Sequence, residues 1–149
     1  MKNVLKTVEK SVLLIIELEE VEEKLKNSLI KFKKIFLASN IEQAKEILEK
    51  EAIDTVIIDL KNVNEEIEFT KKISQTFNGI IIVVTDGVDN EEILNIFRSG
   101  VDDFMPRKFD TKELERVILL AHAKRETKSL INKICVKLKL LENVITNGN

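Results

Sequence analysis

Tryptophan and tyrosine are missing from this chain, cysteine and proline occur once each, and only four glycines are spread over 149 residues. Each shortage excludes something. A lone Cys135 cannot form an internal disulfide or build a zinc site by itself, which makes a reducing, cytoplasmic location the default expectation. With so little proline and glycine, no flexible linker divides the chain. Neither charge sign dominates: 24 basic against 26 acidic residues leave a formal net charge of −2, which argues against nucleic acid or a membrane surface as the main partner. Long apolar runs are missing too. Val12 to Ile16 and Ile80 to Val84 are far too short to cross a bilayer, and no signal-peptide pattern opens the chain.

What is present is an alternation of short apolar runs with amphipathic segments, enough for one domain with a substantial core. Val12 to Ile16 reads as a strand buried on both faces, because it lacks the polar alternation of a half-exposed one. Val21, Leu25, Leu29 and Phe32 recur at helical spacing on a charged background. Ile35 to Ala38 is a second strand. Asn40 with Gln43 is a variant capping box opening a helix that carries Ile41, Ala44, Ile47 and Leu48 on one side. Thr55 to Ile58 is a β-branched run ending at Asp59. A helix is expected near Glu65 to Phe77, a strand over Ile80 to Thr85, and a helix from Asp89 and Glu92 to Gly100. A brief strand around Phe104 precedes a last helix opened by Asp110 and Glu113.

This is βα repeated five times, which predicts a doubly wound five-stranded parallel sheet in the flavodoxin-like order 2-1-3-4-5. In such sheets the functional crevice lies beyond the carboxyl ends of the strands. Glu17, Asp59, Thr85 and Arg107 all fall there.

From Ser11 to Arg125 the sequence resembles the receiver domains of bacterial two-component response regulators. Ile53-Asp-Thr-Val-Ile-Ile-Asp-Leu60 is similar to the family's third strand with its phosphorylated aspartate. Ile81-Ile-Val-Val-Thr85 resembles the fourth strand, and Gly100-Val-Asp-Asp-Phe-Met105 the approach to the fifth. The resemblance implies phosphoryl transfer from a partner histidine kinase to Asp59. It implies a Mg2+ site drawn from Glu17, Asp59 and the backbone carbonyl of Lys61, and switch roles for Thr85 and Phe104.

Four departures alter that expectation. The acidic pair is Glu17-Leu18, Lys61 stands two past the acceptor, Arg107-Lys108 replaces a lysine and proline, and Asp86 follows Thr85. Lys61 and Arg107 are expected to neutralise Glu17 and Asp59, leaving weak metal binding and slow or no phosphorylation. Two readings follow: a working receiver with Asp59 as phosphoacceptor, or an atypical pseudo-receiver serving as a phosphorylation-independent interaction and dimerisation module. Neither is an enzyme. A flavodoxin-like cofactor binder fails for want of a glycine-rich phosphate loop, of a tryptophan or tyrosine to stack on a flavin, and of a paired base and nucleophile.

Residues 126–149 are read as a helical extension. A 3/4 spacing threads Val117, Leu120, Lys124, Thr127, Ile131, Ile134, Leu138, Leu141 and Ile145. That stripe predicts a parallel homodimeric coiled coil, with folding back onto the domain as the competing arrangement. The chain is read either as a stand-alone regulator or as a piece of a longer one, and the tail running past the domain favours the piece. His122 is expected to be a packing or surface residue.

Overall fold

The computed structural model describes residues 8–147 apart from positions 18, 30, 31, 61 and 87. Five strands, β1 (Val8–Ile16), β2 (Phe32–Ala38), β3 (Thr55–Asp59), β4 (Ile80–Val84) and β5 (Asp103–Met105), alternate with five helices. These are α1 (Glu19–Ser28), α2 (Ile41–Lys50), α3 (Val63–Ser74), α4 (Asn90–Arg98) and α5 (Thr111–Asn147). The sheet runs β2-β1-β3-β4-β5, every pair parallel, as the sequence pattern predicts.

The continuous apolar runs explain the layering. Every residue of β3 and β4 is buried, so side chains of alternate parity feed opposite cores. Val12, Leu14, Ile57, Ile82 and Val84 pack with Leu25 of α1 and Leu114 and Ile118 of α5. Leu13, Ile15, Val56, Ile58, Ile81 and Val83 pack with Ala44 of α2, Ile67 and Ile73 of α3 and Ile96 of α4. Each fully buried Ile or Leu contributes about 1.5–3 kcal/mol relative to exposure, so the strands and not the helix surfaces carry most of the stabilisation.

Cap chemistry sets the helix starts. Asp89 and Glu92 form a reciprocal capping box at α4. Asn40 accepts the Gln43 amide at α2, but the Gln43 side chain returns to the Ser39 amide and hydroxyl, one residue earlier than the box predicts. Asp110 accepts the amides of Lys112 and Glu113 at α5.

Several boundaries differ from the sequence expectation, and β1 begins at Val8 and not at Val12. Phe32 does not close α1; it opens β2, buried and paired with Val8, because α1 already ends at Ser28. Helix α3 begins at Val63, since the Asn62 side chain accepts the amides of Asn64 and Glu65 and starts the helix two residues early. It also ends at Ser74, leaving Phe77 beyond it.

Helix α5 is one unbroken element of 37 residues. Leu114, Ile118 and Ala121 bury its first half, and His122 Nε2 lies 3.1 Å from the hydroxyl of buried Thr55. Arg125 pairs in bidentate fashion with Asp102 at 2.8 and 3.0 Å and also bonds the Asn78 carbonyl. Beyond that clamp every described residue is exposed, so the tail continues straight and does not fold back. Its stripe of Ile131, Ile134, Leu138, Leu141 and Ile145 lies about 150° around the helix from the docked face, at about 100° per residue.

Gly100 follows α4 at φ 106°, and a Cβ there would stand 2.8 Å from Ser74 Cβ and Oγ. Ser74 is held in place by donating to the Ser99 carbonyl. Gly100→Ala therefore loses about 1–3 kcal/mol of stability, read as a lower urea midpoint with an unchanged m-value.

Candidate functional site

The carboxyl ends of β1, β3, β4 and β5 gather the polar residues. Asp59 ends β3 opposite Ile16 of β1, and the Glu17 amide donates to the Asp59 carbonyl at 3.3 Å. Thr85 follows β4, its amide donating to the Met105 carbonyl of β5 at 2.9 Å. Two residues past Met105, the chain turns Arg107 back over Asp59. The sheet geometry alone thus brings Asp59, Thr85 and Arg107 to one place.

Asp59 is fully buried, and its Oδ1 accepts from Arg107 Nε at 3.0 Å, with Nη2 in ion-pair contact at the same distance. Nη2 also donates to the Leu60 carbonyl at 2.6 Å. Because both nitrogens share Oδ1, Asp59 Oδ2 is left buried with no donor among the described residues. Burial pushes the Asp59 carboxyl above its ordinary range; Arg107 opposes this by charge and hydrogen bond, while Asp86 and Glu17 add to it. The loop carrying Arg107 is fastened at both sides. Its amide donates to Asp86 Oδ1 at 2.8 Å, and Lys24 of α1 donates to its carbonyl at 2.9 Å while lying over the Phe109 ring. Asp86 is therefore turned toward the Arg107 backbone at the surface.

Glu17 is exposed, and its amide donates to the Asp59 carbonyl. Phe104 is half-buried and edge-on to Phe97, with ring centroids 5.6 Å apart. Lys61 and Leu18 lie outside the described residues.

Glu66 is the residue that sequence reasoning missed. It is fully buried in the first turn of α3, and its Oε2 accepts the Leu60 amide at 3.3 Å. Thr85 lies beside the same carboxyl, and Oε1 is left without a partner among the described residues. Burial raises its pKa to about 8, a rise that Thr85 and the Leu60 amide reduce, Asp59 increases and Arg107 opposes. A signal existed: Glu66 shares the helical phase of Thr70 and Ile73, both buried. An acid in that phase must be either protonated or paired.

Beside these groups a polar cavity of about 340 Å3 is lined by Asn62, Asn64, Thr85, Asp86, Glu92 and Arg107, among others. It gives solvent a route to the pocket rim but not to the Asp59 carboxylate itself, which is fully covered.

The raised Glu66 pKa has a definite sign. Between the ordinary glutamate value and about 8, the unfolded chain releases the proton that the folded one retains, so stability falls as pH rises. Glu66→Gln removes that slope. Denaturation midpoints at about pH 5 and about pH 9 will show wild type losing on the order of 3 kcal/mol more than the variant. The shift of Asp59 acts in both proteins and cancels in the difference.

The response regulator receiver domain family model matches residues 12–119. Among solved structures, a response regulator from Thermotoga maritima aligns with TM-score 0.66 and 23% identity, covering 74% of this chain and 98% of that one. An orphan response regulator from H. pylori aligns with TM-score 0.66 and 20% identity, covering 78% and 98%. A fusion containing the yeast Spc42 trimeric coiled coil reaches TM-score 0.73 at 16% identity, covering 94% and 99%. That coverage leaves too few residues unmatched to omit the tail of α5. No curated protein sequence matches the chain significantly. At these identities the structures speak for the fold, and the family model, spanning well over half the sequence, decides the rest: the chain belongs to the response regulator receiver domain family.

Proposed function

We propose that this receiver acts as a protein-interaction module whose pocket is closed by its own Arg107, and that it signals through contacts without phosphate on Asp59. The observation that carries this reading is the 3.0 Å hydrogen bond from Arg107 Nε to Asp59 Oδ1, with Nη2 in ion-pair contact at the same distance, over a fully covered carboxylate. A phosphodonor must reach Asp59, and a guanidinium bonded to both Asp59 and the Leu60 carbonyl stands in the way. The bond network has a structural purpose of its own. Arg107 offsets the charge of Asp59, and Asp86 and Lys24 hold the Arg107 backbone. The carboxyl ends of three strands are fixed without an added cation.

Magnesium does not fit the described donors. It asks for several oxygens in octahedral array, whereas Asp59 Oδ1 is taken by Arg107 and the exposed Glu17 is followed by Leu18 instead of a second acid. No group of three acidic, histidine or cysteine residues able to hold a metal occurs among the described residues.

One observation favours the second reading, in which a histidine kinase phosphorylates Asp59. Oδ2 has no donor, so it remains a nucleophile in waiting. Its attack on phosphorus would form the new P–O bond as the donor's bond to phosphorus breaks, and would require Arg107 to withdraw. With a small phosphodonor such as acetyl phosphate and magnesium, the expected outcome is no Asp59-dependent mass increase and no saturable magnesium titration. A stoichiometric phosphoprotein that disappears in Asp59→Asn would reverse the choice between the readings.

The tail supplies the contact surface. Ile131, Ile134, Leu138, Leu141 and Ile145 are each roughly half exposed or more, a row too apolar to stay solvated. A second copy of the chain, parallel and in register, covers them, and it sets Lys137 at a g position five residues before the partner's Glu142 at e. No described helix is long and apolar enough to cross a membrane. Such a pairing, in the cytoplasm and without catalysis, makes α5 the output element. Truncation after Arg125 is expected to convert a dimer into a folded monomer in sedimentation equilibrium, with the Arg125–Asp102 clamp retained.

A further inference from the structure

We propose that the Glu66 carboxyl occupies the anion position beside Asp59, taking the hydrogen bonds that a group carried by Asp59 would need, so that the pocket is filled from within. The proposal rests on the closed-pocket reading above and names what fills it.

Donors decide the matter. An anionic group attached to Asp59 requires N–H or O–H groups aimed at it, since burying it unpaired would cost several kcal/mol. Among the described residues, the Leu60 amide, the Thr85 hydroxyl and the Arg107 guanidinium border Asp59. The Leu60 amide goes to Glu66, and Thr85 lies beside the same carboxyl. Arg107 Nε goes to Asp59 Oδ1, and its Nη2 is shared between that oxygen and the Leu60 carbonyl. A phosphoryl-sized group on Asp59 would find the Leu60 amide already occupied by a carboxyl, with Thr85 beside that same carboxyl.

Glu66 is also built to stay there. It lies in the first turn of α3. Its amide donates to the Asn62 carbonyl at 3.1 Å, and its own carbonyl accepts the Thr70 hydroxyl at 2.7 Å. An apolar side chain at this buried site would avoid the desolvation that an acid suffers. The acid instead joins α3 to the ends of β3 and β4. Because both Glu66 Oε1 and Asp59 Oδ2 are buried without partners among the described residues, the cluster still has room for one more polar contact.

The test uses the full chain with beryllofluoride, which takes an aspartate oxygen as a beryllium ligand and presents fluorines to nearby donors. Wild type should show no change at the Leu60 and Thr85 amide resonances. Arg107→Ala uncovers Asp59 while Glu66 keeps its contacts, so that variant should stay silent, whereas Arg107→Ala combined with Glu66→Ala or Glu66→Ser should show shifts there and a rise in Tm with beryllofluoride, lost when Asp59→Asn is added. Formate, a carboxyl without a chain, should raise the Tm of Glu66→Ala and leave wild type unchanged. Folded double variants that stay silent, or Arg107→Ala responding by itself, overturn this proposal alone, provided wild type is silent as well. Wild type responding as strongly as the double variants overturns both this proposal and the closed-pocket reading. One measurement needs no variant: a through-hydrogen-bond coupling between the Leu60 nitrogen and the Glu66 carboxyl carbon is expected in wild type, and its lack at neutral pH also overturns the proposal.

Discussion

Everything at the carboxyl end of the sheet follows from the burial of β3 on both faces. A strand covered on each side has nowhere to release a polar residue except at its end, and Asp59 sits at the last position, still fully covered. A carboxylate there needs a counter-charge close by. Arg107 supplies it, and its own loop then has to be held by Asp86 and Lys24. The requirement thus passes outward from the core, through one ion pair, to groups at the surface.

The family resemblance and the departures from it are two consequences of the same constraint. The sheet order and strand-end positions come from the apolar runs, which leave little freedom in where Asp59, Thr85 and Arg107 meet. What those residues do when they meet depends on chemistry the runs do not set. Arginine spreads its charge over a planar fork and reaches Asp59 and the Leu60 carbonyl at once, which a compact ammonium would not do in the same way.

The sheet and its order were legible in the sequence because Val12 to Ile16, Thr55 to Ile58 and Ile80 to Val84 have no competing pattern. Boundaries were less so. Phe32 keeps helical spacing with Leu25 and Leu29, yet pairing with Val8 claims it for β2. Asn62 starts α3 by bonding two amides, a contact that spacing of apolar residues does not report. At the site, Asp59, Thr85 and Arg107 were readable from strand ends. Glu66 was not, because a glutamate in a helix ordinarily faces water, and only the burial of Thr70 and Ile73 on its face reveals otherwise. Of the expected pairings, Arg107 stands 3.0 Å from Asp59, and the one involving Lys61 lies outside the described residues.

The uninterrupted path of α5 from Thr111 to Asn147 has a mechanical consequence. Clamped at Arg125 and continuing for about 33 Å more, it behaves as a shaft with a keyed end, whose far stripe has a fixed angular phase relative to the sheet. One residue inserted between Arg125 and Ile131 would turn that stripe by about 100° while advancing it only about 1.5 Å. Orientation is therefore set by counting residues, and any element joined to the far end inherits its bearing from the receiver.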